Sequence, residues 1–403
     1  MLARLLPSDP IGRILALNAL IASLGFGGFA VASSVFFTHS IGLTLREVGF
    51  GLSVSGLAQL LVSVPGGWIC DRFCPRDIVI ASTLANAVVL LSYVLVNSLA
   101  AFVAVAATLG MLHGLTHVAQ EALLAALVPA DNRVVVSAYV RTAVNAGFTV
   151  GALIAGLVVV EDSRAAYLGL LLVNVLAEVC VALLTLRVPR TRHRVKREAV
   201  RLGGALRDRP YVAVSLVCGV LFVAQTVLDV GVPIWILDHT HAPRVLAGWL
   251  FAINTVLIVA FQVRASRAID NGAKAGPLVT KAFAAAAVSF VLIGASTYGN
   301  ALVATLLLIA GVVTLSVGEL WGSAAQWALR FDLADPQAQG QYGGVFALGS
   351  SVQNLVGPIV VTTATSALLF GGWLLLAAVM IVGGMIAAPV VRWAEQMRQN
   401  HFV

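Results

Sequence analysis

The chain has 403 residues, of which 60% are hydrophobic and 11% are charged, and its formal net charge is +7. Soluble domains carry about 25% charged residues, so this composition excludes a water-soluble globular protein. The hydrophobic residues fall in runs of roughly 20, which is the length that crosses a bilayer core. The sequence therefore predicts a polytopic membrane protein.

Charged, proline and glycine clusters divide the chain into twelve predicted spans. They cover 11–36, 47–70, 77–97, 99–124, 133–158, 165–187, 211–237, 245–265, 275–297, 299–327, 340–367 and 371–392. The N-terminus lacks the short hydrophobic region and small-residue cleavage site of a signal peptide, so we expect the first span to direct insertion.

The basic residues predict the orientation of these spans. An even number of spans puts both termini on one side of the membrane. If that side is the cytoplasm, 22 of the 25 Lys and Arg residues lie there, and only Arg46, Arg164 and Arg244 lie opposite. The positive-inside rule therefore places both termini in the cytoplasm.

The segment 187–209 carries most of the excess charge. It has nine basic residues against Glu198 and Asp208, a net charge of +7, and the remaining 16 basic residues are balanced by 16 acidic ones. This concentration gives no reason to expect a nucleic-acid partner. Hydrophobic residues recur at helical spacing within the segment: Val195, Ala199, Leu202 and Leu206. They fit an amphipathic helix on anionic lipid headgroups, while a solvated linker that only sets topology explains the segment equally well.

The basic segment separates two halves that share a faint repeat. Ala119-Gln120 and Gly151 in the first half match Ala325-Gln326 and Gly357 in the second, each at an offset of 206. We therefore expect six-span units at 1–187 and 210–403, joined by a linker at 188–209. Parallel repeats of this kind place a substrate site at their interface near the middle of the bilayer.

The loop after span 2 carries the most specific motif of the chain. It reads Gly67-Trp-Ile-Cys-Asp71-Arg72-Phe-Cys-Pro-Arg76 and resembles the G-x-x-x-D-R-x-G-R-R/K signature of the major facilitator superfamily. The resemblance implies an all-α membrane fold of twelve helices in two pseudo-symmetric bundles. It also implies a conformational gate that includes Asp71, Arg72 and Arg76, in which Asp71 accepts hydrogen bonds from the glycine-rich start of span 11, Gly340-Gln-Tyr-Gly343-Gly344. The alternative is an ordinary helix cap.

Span 5 carries a second family-like pattern. Gly147, Gly151 and Gly156 resemble the G-x-x-x-G-P-x-x-G-G element of proton-antiporting exporters in the superfamily, with Ala152 in place of the proline. Small residues at this spacing also serve plain helix packing.

Two acidic residues lie inside predicted spans of the second half. Ionisable groups in a membrane are costly and are functional candidates by default. Asp229 in span 7 precedes Gly231 and Pro233, which weaken the helix, and Glu319 lies in span 10. By resemblance to lactococcal-type multidrug/proton antiporters, the two acids would couple proton binding to transport. Alternatively, each pairs with a polar neighbour and locks two helices together.

Span 4 carries a titratable stripe. His113, His117 and Glu121 follow one another at intervals of four residues and share one helix face. The family usually has arginine near the position of His113, so this stripe departs from the family pattern. Three roles of the stripe stay open: a proton relay or substrate contact, interhelical hydrogen bonding, and a transition-metal ligand set. No metal site or cofactor is predicted.

Two further charged groups lie in spans 5 and 6. Arg141 needs a counter-charge, for which Glu121 and Asp71 are the candidates, and we assign it to a gate or structural ion pair. Asn174 and Glu178 share one face of span 6. Because that span belongs to the outer scaffold in the superfamily, we expect Glu178 to be structural.

Polar and aromatic residues in the spans expected to line a cavity form the predicted substrate site. These are Asn18, Asn145, Gln225, Asn254, Trp321, Gln326 and Asn354. Polar groups facing lipid would be costly, so a shared hydrated interior explains them best.

These features predict a monomeric, proton-coupled exporter of amphipathic organic compounds in a bacterial inner membrane. The chain has no G-x-x-x-x-G-K-S/T nucleotide loop, no G-x-S-x-G elbow and no H-E-x-x-H motif, so ATP-driven transport and enzymatic activity are not expected. The expected partners are a small-molecule substrate, protons and lipids. A proton symporter for a nutrient, or a dedicated lipid or metabolite transporter, is the alternative.

Overall fold

The computed structural model describes residues 7, 9–40, 42–161, 163–190, 203–267, 269 and 275–401. Within these residues the chain forms helices and no strand. Twelve helical segments are long and hydrophobic enough to cross a membrane, which confirms the twelve predicted spans. Most of the basic segment, including Val195, Ala199 and Leu202 of the predicted amphipathic helix, lies outside the described residues.

The contacts divide the chain into two compact units. The first contains 1–204 together with 335–345, and the second contains 205–334 and 346–403. Helices of the first unit are α1 (Pro10–Val35), α2 (Leu45–Arg72), α3 (Pro75–Leu91), α4 (Leu99–Leu127), α5 (Ala130–Glu161) and α6 (Arg164–Thr185).

Polar residues at the ends of the spans start several of these helices. The side chain of Asp9 accepts a hydrogen bond of 2.8 Å from the amide of Gly12, and Pro10 occupies the first turn, where its missing N–H is not needed. Thr44 and Glu47 form a capping box at the start of α2. Such caps satisfy amides that have no partner within the helix.

Glycines set the close packing of α1 against α5. A Cβ atom at Gly147 would overlap the backbone carbonyl of Leu20, and one at Gly151 would overlap that of Leu24. The two backbones therefore approach more closely than any side chain would allow. Gly156 is different, because nothing lies within 4 Å of the position its Cβ would take.

The other helices of the first unit pack around this pair. α6 packs on α1 and α3, α3 packs on α4, and α4 packs on α2. A hydrophobic cluster lies where α1, α3, α4 and α6 meet and includes aromatic rings that contact the ring of Phe37: Phe29, Phe36, Tyr93 and Phe102.

The second unit begins with a span that is interrupted. Predicted span 7 consists of α7 (Arg209–Leu221), the single turn α8 (Val223–Thr226), a π turn over Val227–Gly231 and α9 (Val232–His239). The amide of Val232 donates to the carbonyl of Val227, five residues earlier. Pro233 accounts for this widening, because it has no N–H for the carbonyl of Asp229 and its ring displaces that carbonyl.

The remaining helices of the second unit are uninterrupted. They are α10 (Leu246–Arg267), α11 (Ala275–Ala295), α12 (Ala301–Asp332), α13 (Gln339–Leu368), whose first residues belong to the first unit, and α14 (Phe370–His401). α11 packs on α12 and α14, α10 packs on α12, and α7 packs on α14. α7 also meets α13 at Gly219 and Gly349, where a Cβ on Gly219 would lie 2.9 Å from the Cα of Gly349.

The α1–α5 packing makes a stability prediction. We expect Gly151→Val to destabilise the protein by roughly 1–3 kcal/mol, because the added side chain overlaps the backbone of α1 and forces the helices apart. Gly156→Val on the same helix is the matched control, since the new side chain meets open space. Thermal unfolding in detergent measures both, and equal melting temperatures for the two variants would contradict the packing argument.

Candidate functional site

Asp71 closes the end of α2 by binding the backbone of another helix. Its Oδ1 accepts a hydrogen bond of 2.7 Å from the amide of Gly340, and its Oδ2 accepts one of 2.9 Å from the amide of Gln341. Because α13 begins at Gln339, these amides have no partner within their own helix. The buried carboxylate also lies at the positive end of the helix dipole, which strengthens both bonds.

Glycines permit this contact. A Cβ atom at Gly340 would lie 2.7 Å from Oδ1 of Asp71 and would overlap the carbonyl of Gly67. Gly344, one turn later, approaches the carbonyl of Ser63 in the same way. Gly343 is buried beside it. The predicted acceptor and the glycine-rich start of span 11 therefore lie together, and Gly340 and Gln341 within that start donate the bonds.

The two arginines of the motif make other contacts. The guanidinium of Arg72 lies 4.1 Å from the ring centre of Trp68. Arg76 donates from Nε to the carbonyl of Thr185 at 3.2 Å and from Nη2 to that of Leu186 at 2.7 Å. Arg76 thus caps the end of α6, where carbonyls lack helical partners.

Sequence reasoning missed an ion pair beside this cap. Arg190 and Asp77 are 3.1 Å apart, and both are exposed enough for water to screen them. The signal for Asp77 was its place in the first turn of a helix that starts with proline, where acidic residues are favoured.

The span 4 stripe is only partly buried. His113 is half-buried, with its ring 5.7 Å from that of Phe26 on α1 in an edge-to-face arrangement. His117 is exposed and Glu121 is half-buried. Within the part of the chain that the structure describes, no three His, Cys, Asp or Glu residues are grouped as metal ligands. Arg141 is half-buried on α5, while both carboxylate oxygens of Asp71, one of its two predicted partners, bind α13.

Asp229 lies in the π turn of span 7 and is exposed. The side-chain amide of Gln225 donates to Oδ1 at 3.0 Å and to Oδ2 at 3.2 Å. Sequence analysis placed these two residues in different groups, as a coupling acid and a cavity residue. The structure joins them into one polar pair in an otherwise hydrophobic span.

Glu319 belongs to a polar ladder between α10 and α12. Asn254 donates to Glu319 Oε2 at 3.1 Å and to Ser316 Oγ at 3.0 Å. Two turns along α10, Gln262 donates to Ser323 Oγ at 2.9 Å. The ladder holds the Glu319 carboxyl group against a buried amide.

The other predicted cavity residues have varied surroundings. Asn18 is buried and donates to Thr185 Oγ1 at 3.0 Å, which ties α1 to α6. Asn145 and Trp321 are half-buried, and Gln326 is buried. The side chain of Asn354 lies outside the described part of the chain. Of the three antiporter-like glycines, Gly147 and Gly151 pack against α1, whereas Gly156 is exposed, with no described atom within 4 Å of the position its Cβ would take.

Comparisons with known proteins identify the family. Residues 15–358 match the Major Facilitator Superfamily. The multidrug resistance protein MdtH of Aeromonas hydrophila subsp. hydrophila is 24% identical over 351 residues, which are 86% of each chain.

Solved structures share the fold at low identity. A bacterial homologue of the iron transporter ferroportin, in its outward-facing state, superimposes with a TM-score of 0.76 at 15% identity, covering 96% of this chain and 100% of that one. The transporter FucP in its outward conformation gives a TM-score of 0.73 at 13% identity, over 96% of this chain and 98% of that one. With the family match over most of the chain, the twelve spans and the Asp71 motif, the protein belongs to the Major Facilitator Superfamily and is a membrane transporter of small molecules.

Proposed function

We propose that this transporter is a proton-coupled exporter of amphipathic organic compounds. The observation that carries the proposal is the pair of acidic groups within hydrophobic spans of the second unit, Asp229 in the π turn and Glu319 in the α10–α12 ladder. The distant likeness to a multidrug resistance protein supports the cargo class.

Asp229 has the surroundings that a proton-exchanging group needs. It is exposed and carried by a π turn, a feature frequent at functional sites. Gln225 holds the carboxyl group through a neutral amide, which tolerates both the charged and the protonated acid. In this proposal, Asp229 exchanges a proton when the water access of this turn changes.

Glu319 is the second acid of the proposal. The Asn254 amide bonds one of its carboxylate oxygens, and in this proposal the carboxyl group binds a proton or attracts a cation. Ser316 bonds the same amide and fixes its orientation. In this proposal protons and substrate alternate at the two acids.

The Asp71 contact serves as the conformational switch in this proposal. Its two bonds to α13 amides stabilise one conformational state of the transporter. To leave that state, water must hydrogen-bond the carboxylate and the freed amides instead. We also propose cytoplasmic termini, a bacterial inner-membrane location and a monomer, on the strength of the basic-residue distribution and the relative in Aeromonas.

The coupling role of Asp229 is tested in sealed proteoliposomes with an acid interior. We expect the protein to accumulate ethidium or Hoechst dye in a gradient-dependent, uncoupler-sensitive way, and Asp229→Asn to reduce accumulation to background because it cannot exchange a proton. Asp238→Asn, an exposed acid on α9, is the matched control and should transport normally. If no dye moves under any gradient, the multidrug proposal is wrong and a dedicated nutrient, lipid or metabolite transporter replaces it.

The switch role of Asp71 is tested through the amides it binds. Asp71→Asn should weaken two charge-assisted hydrogen bonds, worth roughly 1.5–3 kcal/mol, and so shift the conformational equilibrium tenfold or more. Hydrogen exchange at 339–345 should speed up, and the transport rate should fall. Asp77→Asn, which removes the exposed pair with Arg190, is the control. Unchanged exchange in Asp71→Asn would contradict the switch.

A further inference from the structure

Glu178 is a buried acid in the first unit that the proposed mechanism does not use. It lies on α6 with 7% of its surface exposed. Among the described residues it has no hydrogen-bond or ion-pair partner. A carboxyl group without a partner is costly to bury, and most costly when it is charged. Glu178 therefore needs a neighbouring species that satisfies it.

Two buried amides near Glu178 also lack partners. Asn86 on α3 is 0% exposed, and neither its Oδ1 nor its Nδ2 has a hydrogen-bond partner. Asn174, one turn before Glu178 on α6, is 2% exposed, and its Oδ1 has none. Native interiors satisfy nearly all such groups, so this concentration points to a bound species.

Helix register brings Asn86 to the level of these α6 residues. Arg76 on α3 bonds the carbonyl of Thr185, which fixes the antiparallel alignment of the two helices at that end. At 1.5 Å per residue, Asn86 lies about 15 Å along α3 from Arg76. Asn174 lies about 16 Å and Glu178 about 10 Å along α6 from Thr185.

Two other helices place residues at the same level along the helix axes. On α1, a Cβ at Gly25 would lie 2.8 Å from Asn174 Oδ1, so the backbone of α1 covers that amide. On α4, Thr116 donates to Ser82 of α3 at 2.7 Å, which places His113, three residues earlier, at the level of Asn86. Gly25, Asn86, His113 and Asn174 thus occupy one level of the unit, with Glu178 one turn away.

Charged groups on the helices packed against α6 lie at other levels. Arg76 and Asp77 lie at the Thr185 end, and Arg13 on α1 bonds the carbonyl of Pro7 near the start of that helix. On α5, Gly147 meets Leu20, so Arg141, nearly two turns earlier, lies near the start of α1. The other charged residues of α5 lie in its first turn or at its last residue: Asp131, Arg133 and Glu161. On α4, which packs against α3, His113 lies at the level of the amides, and His117 and Glu121 lie one and two turns beyond it.

Water is the species that fits these groups. The unpaired Nδ2 of Asn86 needs an acceptor, which a metal cation cannot supply, while the two Oδ1 atoms need donors. Water offers both and commonly occupies buried polar sites of this kind.

We propose that Glu178 is an internal proton-binding site of the first unit. Water held by Asn86 and Asn174 links the carboxyl group with the His113 level. This site is separate from Asp229 and Glu319 and does not depend on the identity of the cargo.

Infrared difference spectroscopy of the protein in lipid membranes tests the proposal, because a protonated carboxylic acid has a C=O stretching band that a carboxylate lacks. At neutral pH we expect Glu178→Gln to lose one such band relative to the unsubstituted protein. Glu161→Gln, which removes an exposed acid at the end of α5, should keep it. No band difference in Glu178→Gln would mean that Glu178 is charged and would overturn the proposal.

A second variant tests the link to the amides and leaves Glu178 in place. Asn86→Leu removes both unpaired amide atoms while keeping a similar volume. We expect the Glu178 band to move to higher frequency, because the acid loses water hydrogen bonds. An unmoved band would disprove the hydrated link. Neither result depends on dye transport, so a failure of this proposal and a failure of the exporter proposal are distinguishable.

Discussion

The constraint on which this structure depends is that a backbone in a hydrophobic environment must satisfy its own hydrogen bonds. Twelve hydrophobic stretches of sufficient length therefore become helices. The helical hydrogen-bond pattern stops or widens at only a few places, and backbone groups there lack a partner within the helix. Two of these places carry the functional proposals: the first turn of α13, whose amides bind Asp71, and the π turn before Pro233, which carries Asp229.

Close helix contact follows from the same constraint. Helices that are hydrophobic on every face gain little from hydrophobic burial against each other in lipid, so packing depends on how near the backbones come. Gly147 and Gly151 admit α1, and Gly67 and Gly340 bring α2 to the start of α13. In the second contact the glycines serve chemistry as well, because a side chain at Gly340 would displace the carboxylate of Asp71.

The acids named in the two proton proposals differ in their partners. In the second unit, Glu319 and Asp229 each bond a side-chain amide, so neither carboxyl group stands alone. In the first unit the buried Glu178 lies one turn from Asn174, whose Oδ1 is unpaired. This difference is why we assign substrate-linked proton exchange to the second unit and an internal, hydrated proton site to the first.

Hydropathy and charge determined the spans and identified Asp229 and Glu319 as candidates, because length, composition and rare intramembrane charges are local properties of the chain. The resemblance of the loop after span 2 to the family signature identified Asp71. Only the tertiary structure decided partners. It joined Gln225 to Asp229, placed the Arg76 guanidinium on the end of α6, and identified Gly340 and Gln341 as the donors for Asp71. It also showed that Glu178 is buried and that Oδ1 of Asn174, one turn before it, has no hydrogen-bond partner. The physical reason is that helical periodicity says which residues share a face, whereas the partner of a face depends on how helices far apart in sequence align and pack.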